Sequence, residues 1–409
     1  MNDLLLRKYA TLAVSLGANV QKGQLIRISG PVEAYSFLHM CAEEAYRLGA
    51  GQVIVDYFDN HLSRLDYENV ETEVLKNVPE HKVEYVKYLI DREYCALYVE
   101  SPDPDLMEGI DASKINEVMM ERQKVMKPFD YYFTNNVAQW SIISYPNLKW
   151  AKKVFPEKSD DEALKALWEA VLYASRVDEN SVEDNWQKHN SEIRIHCDKM
   201  NAYNFKSLHF KNSKGTDLTV GLIANHKWEG GLDTNSKGVC FNANIPTEEI
   251  FTMPDRYHID GVVYSTKPLS YRGKIIDEFK LVFENGRVVD YDAKQNKETL
   301  KNLLETDEGS KSLGEVALIS NDSPISNLNI LFYDTLFDEN ASCHLALGQC
   351  YPNNVKDGTS MSEEELYKLG GNSSMVHVDF MFGSADMEVY GTTYDGEEIK
   401  VFEQGNFII

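Results

Sequence analysis

Residues 24–58 read QLIRISGPVEAYSFLHMCAEEAYRLGAGQVIVDYF. Within them QLIRIS (24–29) is a short β-rich run, EAYSFLHMCAEEAYRLG (33–49) is a helix ending at Gly49, and QVIVDYF (52–58) is a second buried-strand pattern of valine and isoleucine. Strand, helix and strand in that order make a βαβ unit, which requires parallel strands and a right-handed crossover. Further on, CALYVES (95–101) reads as another strand, and helices are expected over 113–125 and 160–175. The first half of the chain is therefore expected to be α/β with a parallel sheet. It also contains GAGQ (49–52), but Ile54 stands where a dinucleotide fingerprint needs its last glycine, and the residues follow a helix instead of a strand. A helix C-cap and loop account for that fragment, and no dinucleotide site is inferred.

The texture changes near residue 180. RVDENSVEDN (176–185) is polar, and from Trp186 a helix is expected whose apolar positions Trp186, Ile193, Cys197 and Met200 recur every three or four residues. This sets the expected division at 1–184 and 185–409, with that helix as connector. Beyond 207 the pattern is β: SLHFKN, DLTVGLI and KIIDEFKLVFENGRVVDYDA, where Asn285-Gly286 between alternating apolar residues signals a hairpin. GEVALIS, LNILFYD and MVHVDFMF read as further strands and ETLKNLLET (298–306) as a helix. The second domain is expected to be α+β and rich in antiparallel strands. At 409 residues the chain exceeds what one hydrophobic core usually serves, which agrees with two domains.

Composition narrows the function. With 41 Lys+Arg against 65 Asp+Glu, a formal charge of -24, the chain lacks the clustered cations that binding to nucleic acid phosphates needs. An acidic surface instead attracts cationic groups, such as the free amino terminus of a peptide. The six cysteines, at 41, 95, 197, 240, 343 and 350, form no CxxC, so reduced thiols in a cytoplasm are expected. In MNDLLLRKYATLAVSLGANV, Leu5, Tyr9, Leu12 and Leu16 fall at helical intervals and Arg7-Lys8 interrupt the apolar run, which points to an amphipathic first helix instead of a signal peptide. No stretch approaches the roughly 18 apolar residues of a membrane span. A soluble cytoplasmic protein is expected.

No single-run catalytic motif is present: no HExxH, GxSxG or GxxxxGK[ST]. A site must therefore be assembled from distant segments. Four stretches hold candidate chemistry. In ANIPTEEIFTMP (243–254), Thr247 and Glu248-Glu249 fit ordinary helix-start chemistry taken alone. In LGEVALIS, Glu315 shares a strand face with Ala317 and Ile319; a carboxylate drawn into such a dry interior costs several kcal/mol or more unless a cation or hydrogen bonds compensate it, and a solvent-facing strand end is the alternative. DENASCHLALGQCYPNN (338–354) holds His344 and Tyr351, and an isolated histidine there also suits a satisfied core residue. In MVHVDFMF, His377 and Asp379 point to one side of a strand and Val378 and Phe380 to the other, as a metal-binding pair or a tolerated polar pair would. Together, two glutamates, two histidines, an aspartate and a tyrosine make the N/O ligand set for a pair of Zn, Co or Mn ions.

In order and spacing, NIPTEEIFTMP, GTDLTVGL, LGEVALI, ENASCHLALGQCYP and HVDFM resemble the aminopeptidase T and aminopeptidase S family of cocatalytic metallopeptidases, the thermophilic metalloprotease family, over nearly the whole chain. The resemblance implies a metallo-aminopeptidase with two divalent ions per chain, Zn, Co, Mn or Mg. Their ligands would be Glu249, Glu315, His344, Tyr351, His377 and Asp379. It implies peptide substrates with a free N-terminus, broad preference, a cytoplasmic location and a homodimer, with no nucleic acid or membrane partner.

On this reading a water or hydroxide bridging the two ions attacks the scissile carbonyl. Glu315 is the expected bridging carboxylate, Tyr351 a ligand or oxyanion donor, and Glu248 either a proton shuttle or a cap-region charge. The alternative from another class is a non-catalytic two-lobed binding protein with a structural metal site. A dinuclear phosphoesterase is disfavoured because the ligand segments carry no arginine or lysine to clamp phosphate.

Overall fold

The computed structural model describes residues 3–272 and 274–409. They form two compact units, Met1–Lys188 with Leu232–Pro246, and His189–Gly231 with Thr247–Ile409. This differs from a single division at 184/185. The segment Leu232–Pro246 lies with the first unit because its backbone bonds there: Ile142 N donates to Ala243 O (2.8 Å), and Ile245 N donates to Ile142 O (3.0 Å). Asn235 Nδ2 adds a bond to Gln139 Oε1 (3.0 Å).

The first unit is built on β1 (Leu25–Pro31), β2 (Gln52–Phe58), β3 (Cys95–Glu100) and β4 (Trp140–Ser144), all parallel, in the order β2-β1-β3-β4. The crossover helix Tyr35–Arg47 buries Phe37, Leu38, Cys41 and Ala45, one stripe at helical spacing, as the βαβ reading requires. The helix expected over 113–125 runs longer, Ala112–Thr134, and that expected over 160–175 is Asp160–Ala174. The first helix, Asp3–Thr11, passes into a wider π turn over Leu12–Gly17. Among the described residues no helix is long and apolar enough to cross a membrane, and all six cysteines are unpaired.

The helix Val182–Tyr203 begins in the first unit and ends in the second. Its four foreseen apolar positions, Trp186, Ile193, Cys197 and Met200, are all buried. In the second unit, the larger antiparallel sheet includes Ser207–Lys211, Asp217–Leu222, Pro254–Tyr264, Lys274–Glu284, Arg287–Gln295 and Glu388–Thr392. Its hairpin turns at Asn285 (φ 49°) and Gly286 (φ 81°), the paired positive φ of a type I′ turn. A smaller antiparallel sheet consists of β5 (Ile250–Thr252), β6 (Leu313–Leu318), β7 (His344–Gly348) and β8 (His377–Met381), in the order β8-β7-β6-β5. Its inner face gives Ile250, Val316, Leu318, Leu345, Leu347 and Phe380 to the core shared with the larger sheet, where Phe380 lies 5.5 Å from Phe279 between ring centroids.

One expected strand does not form. LNILFYD (328–334) is irregular after the short helix Pro324–Leu328, because its backbone donors go to a side chain instead of a ladder. The Asp338 carboxylate accepts from Phe332 N (2.8 Å) and Asp334 N (3.1 Å), and the chain between them turns through a left-handed Tyr333 (φ 57°). Burial pushes the Asp338 carboxyl up to about 7, against the lowering effect of the two backbone donors and Lys267.

A carboxyl raised this far binds its proton more tightly in the folded state. Its contribution is therefore full below the unfolded pKa near 4 and is lost as pH rises through about 7, a change of at most ~4 kcal/mol. We expect the stability difference between the wild-type protein and Asp338→Asn, measured by urea unfolding, to shrink steadily between pH 5 and pH 8. A pH-independent difference would show that Asp338 stays ionised throughout.

Candidate metal centre

The outer face of the smaller sheet holds the chemistry, and its strand register shows why. In β6 and β7, Leu313 pairs with Leu347 on the core side, but Glu315 pairs with Ala346, so Gly314 is one residue extra. Without this bulge, alternation would place Glu315 on the same face as Leu313, in the core. The bulge turns it outward, onto the face of Ala317 and His344, which pair two positions further along the ladder. Across β7 and β8, Ala346 pairs with Asp379 and Gly348 with His377. Glu315 and Asp379 thus stand two strand spacings apart, about 10 Å between backbones, and face each other over a single methyl group. Glu249 arrives on the residue just before β5, with the backbone leading into it pinned twice. Thr247 O lies 2.7 Å from His189 Nε2, and Glu248 N donates to Asn340 Oδ1 at 2.7 Å.

Five of the six ligands expected from the sequence converge. His344 Nε2 lies 3.0 Å from Glu249 Oε2 and 3.4 Å from Glu315 Oε1. His377 Nε2 lies 3.8 Å from Glu315 Oε2 and 3.4 Å from Asp379 Oδ1. Two triads result, Glu249–Glu315–His344 and Glu315–His377–Asp379, each with its ligand atoms within 4.8 Å of one another. Glu315 belongs to both and turns one oxygen to each. The side chains are nearly closed to solvent, at 1% for His344, 6% for Glu315, 10% for Glu249 and Asp379, and 19% for His377.

Each histidine is oriented from behind. His344 Nδ1 sits 2.9 Å from Glu339 O and His377 Nδ1 sits 2.7 Å from Gln349 O, so both rings donate from Nδ1 and direct Nε2 into the cluster. The sixth candidate, Tyr351, packs its ring 4.7 Å from that of His377 and 6.2 Å from that of Phe251. It is 36% exposed as a residue, with protein packed around part of its ring. Desolvation by the surrounding protein, with the charges of Glu315, Asp379, Glu339 and Glu249, raises its pKa well above the usual phenol range.

The charges in the cluster press on one another. Burial, and the neighbouring Glu249 and Asp379, raise Glu315 to about 7 despite the opposing pull of His344. Burial would lower both histidines, but the carboxylates outweigh it: His344 is raised well above its usual value by Glu249 and Glu315, and His377 to about 9 by Asp379 and Glu315. For Asp379, burial acts upward and the two imidazoles pull it lower overall. A further acid that sequence reading missed, Glu339, is raised strongly by burial and by Asp379, Glu249 and Glu315. Its signal was present in DENASCH, five residues before His344, but an acid in a polar turn carries no mark of burial. Glu248, expected as a proton shuttle, holds its backbone on Asn340 and is not among the charges acting most strongly on Glu315, His344 or Tyr351.

The residues fit a divalent metal centre. Glu249 Oε2, out of line for a hydrogen bond with His344, and Asp379 Oδ1 are buried oxygens with no hydrogen-bond partner. Buried acceptors of this kind carry a desolvation cost of about 1–3 kcal/mol each, or more when charged, which the neighbouring imidazoles offset only in part without an aligned hydrogen bond. All the donor atoms are oxygen or imidazole nitrogen, the set that suits Zn, Co and Mn.

Comparison with known proteins gives a consistent result. Residues 2–407 match the family model described as thermophilic metalloprotease (M29). The chain is 43% identical over 402 residues to aminopeptidase AmpS of Bacillus subtilis, covering 98% of each chain. It is 38% identical over 404 residues to aminopeptidase T of Thermus aquaticus, covering 99% of this chain and 98% of the relative. The solved structure of wild-type AmpT from Thermus thermophilus superposes with a TM-score of 0.93 at 37% identity, covering 100% of both chains.

Two measurements test the cluster. Ala346→Val adds two methyl groups in the gap between Glu315 and Asp379 while keeping a β-favouring residue, so the variant should fold with a circular dichroism spectrum like the parent and hold less than half the metal. Full metal content would mean that the ligands do not meet above Ala346. Because both imidazoles hold protons near neutral pH, with His377 at about 9, and Glu315 is raised to about 7, metal uptake at pH 7 should release about two protons per chain or more and tighten as pH rises toward 9. Calorimetry in buffers of different ionisation enthalpy counts those protons, and a count of zero would show that both imidazoles are already neutral at pH 7.

Proposed function

The chain belongs to the thermophilic metalloprotease (M29) family, and from that membership we propose that it is a metal-dependent aminopeptidase that works with two divalent ions held by Glu249, Glu315, His344, His377 and Asp379. The observation that carries this reading is the double role of Glu315, whose oxygens face different histidines in two triads. The named aminopeptidases among its relatives, similar over almost their full length, support the substrate class: peptides with a free N-terminus. Broad side-chain preference, a homodimer and a cytoplasmic location belong to the same proposal and rest on the family resemblance.

Two ions bound at these residues would supply Lewis acidity toward the scissile carbonyl and lower the pKa of a bound water. The protein's own groups do the remaining work. Glu315 would help hold both ions, and the Nδ1 bonds of His344 and His377 to backbone carbonyls keep both Nε2 atoms aimed into the cluster. Tyr351 retains its phenolic proton at neutral pH and would donate it as a hydrogen bond to the developing oxyanion. The leaving amine needs a proton, and two acids are candidates to carry it. Glu339, with its strongly raised carboxyl beside Asp379 and Glu249, suits that role better than Glu248. The surplus of buried carboxylates over cationic side chains also favours a substrate that presents an ammonium group.

Glu315→Gln and His344→Ala should each lower amino acid release from free peptides by about 100-fold or more, beyond what loss of a mere supporting residue costs, with the fold retained. N-acetylated peptides should resist the wild-type protein. Undiminished turnover in these variants or in the chelated protein would defeat the proposal. Thermal stabilisation by metal with no hydrolysis of any free peptide would instead favour a binding protein with a structural site.

A further inference from the structure

Asp307 lies outside both triads, in the loop between the helix Lys297–Leu304 and β6, and no part of the proposed chemistry uses it. Its carboxylate nevertheless gathers the residues that lead into β8. Ser374 Oγ donates to both of its oxygens (2.8 and 3.0 Å), and Met375 N donates to Oδ2 at 2.6 Å. Ser310 N closes the loop itself by donating to Oδ1 at 2.8 Å. Two more bonds continue from Ser374: its backbone N donates to Gln349 Oε1 (2.9 Å), and its Oγ accepts from Val376 N (3.2 Å). Gln349 then accepts from His377 Nδ1 through its own backbone oxygen at 2.7 Å. A continuous set of bonds thus runs from Asp307 through Ser374 and Gln349 to the ring of His377.

The other triad is braced separately. His344 Nδ1 rests on Glu339 O, and the backbone before Glu249 is held by His189 and Asn340. None of these bonds touches residues 307, 349 or 374. We propose that Asp307 is a positioning residue for one ion only, the ion of the Glu315–His377–Asp379 triad. On the two-ion reading given above, it sets where β8 begins and therefore where the His377 ring stands. A charge-assisted clasp on two successive residues is a strong constraint on a strand that starts only two residues later, because hydrogen bonds to an ionised acceptor are about twice as strong as neutral ones. The consequence is that the two ions of one centre can be loosened independently, the second without the first.

The test uses the full chain, metal-free and labelled with 15N at histidine, as wild type, D307A and S374A, with H377Q to identify the His377 signals. Exchange of the His377 Nδ1 proton with solvent should quicken about tenfold or more in D307A, and less in S374A, while the His344 signal is unchanged. Zn2+ titration by calorimetry should then show one of two binding steps weakened about 10–100-fold in D307A, the usual loss when a supporting residue is removed, with the other step within about threefold. Unchanged His377 exchange in both variants, or His344 signals and both binding steps shifting alike, overturns the proposal. If D307A does not fold, S374A decides by the same criteria. A wild-type protein that takes up fewer than two Zn2+ ions contradicts the two-ion function, and the exchange of His377 against His344 then decides the role of Asp307 by itself.

Discussion

Four carboxylates, Glu249, Glu315, Glu339 and Asp379, share one enclosed space with two imidazoles, and the charges that act most strongly within it include no lysine or arginine. Such a collection is unstable by itself, since each buried carboxylate without a partner costs more than hydrogen bonds recover. In the protein alone the balance is restored by protons, which is why Glu315, Glu339, His344 and His377 all have raised pKa values. Divalent cations restore it better, because they meet several oxygens at once. The need to compensate this charge links the sheet, the loops behind it and the function proposed for it.

Building such a cluster on a β-sheet requires that one face be apolar and the other not, with little between the polar groups. The smaller sheet does this with its core face of Val316, Leu318, Leu345, Leu347 and Phe380 and with small residues, Ala317, Ala346 and Gly348, between the acids and imidazoles on the outer face. Gly348, at φ 112°, brings the chain so near Val376 that a Cβ there would lie 1.9 Å from its carbonyl oxygen. The bulge at Gly314 is the other device. A continuous ladder would send Glu315 into the core, where its charge has no answer, whereas one extra residue sends it to the face where acids and imidazoles collect.

Much of this was legible beforehand. The βαβ run of residues 24–58 became the parallel sheet, and the spacing of Trp186, Ile193, Cys197 and Met200 marked the buried side of the connecting helix. HVD was readable as a same-face pair because strand alternation is a local rule. The failures have local causes too. LNILFYD has the composition of a strand, but the Asp338 carboxylate takes the backbone donors a ladder would use. Residues 232–246 sit beyond the connecting helix in sequence, yet their backbone completes the edge of the first unit at Ile142.

Amino-acid order alone carries the periodicities, the class of each half and, through the succession and wording of its segments, the candidate site residues and the family. Those depend on neighbours along the chain, or on a likeness that spans it. That Glu315 serves both triads, that Glu339 joins the cluster and that Asp307 stands behind His377 emerge only from the folded arrangement. Each of these is a matter of which distant segments share a low-dielectric space, and electrostatic cost is set by that space, which no spacing in the chain can state.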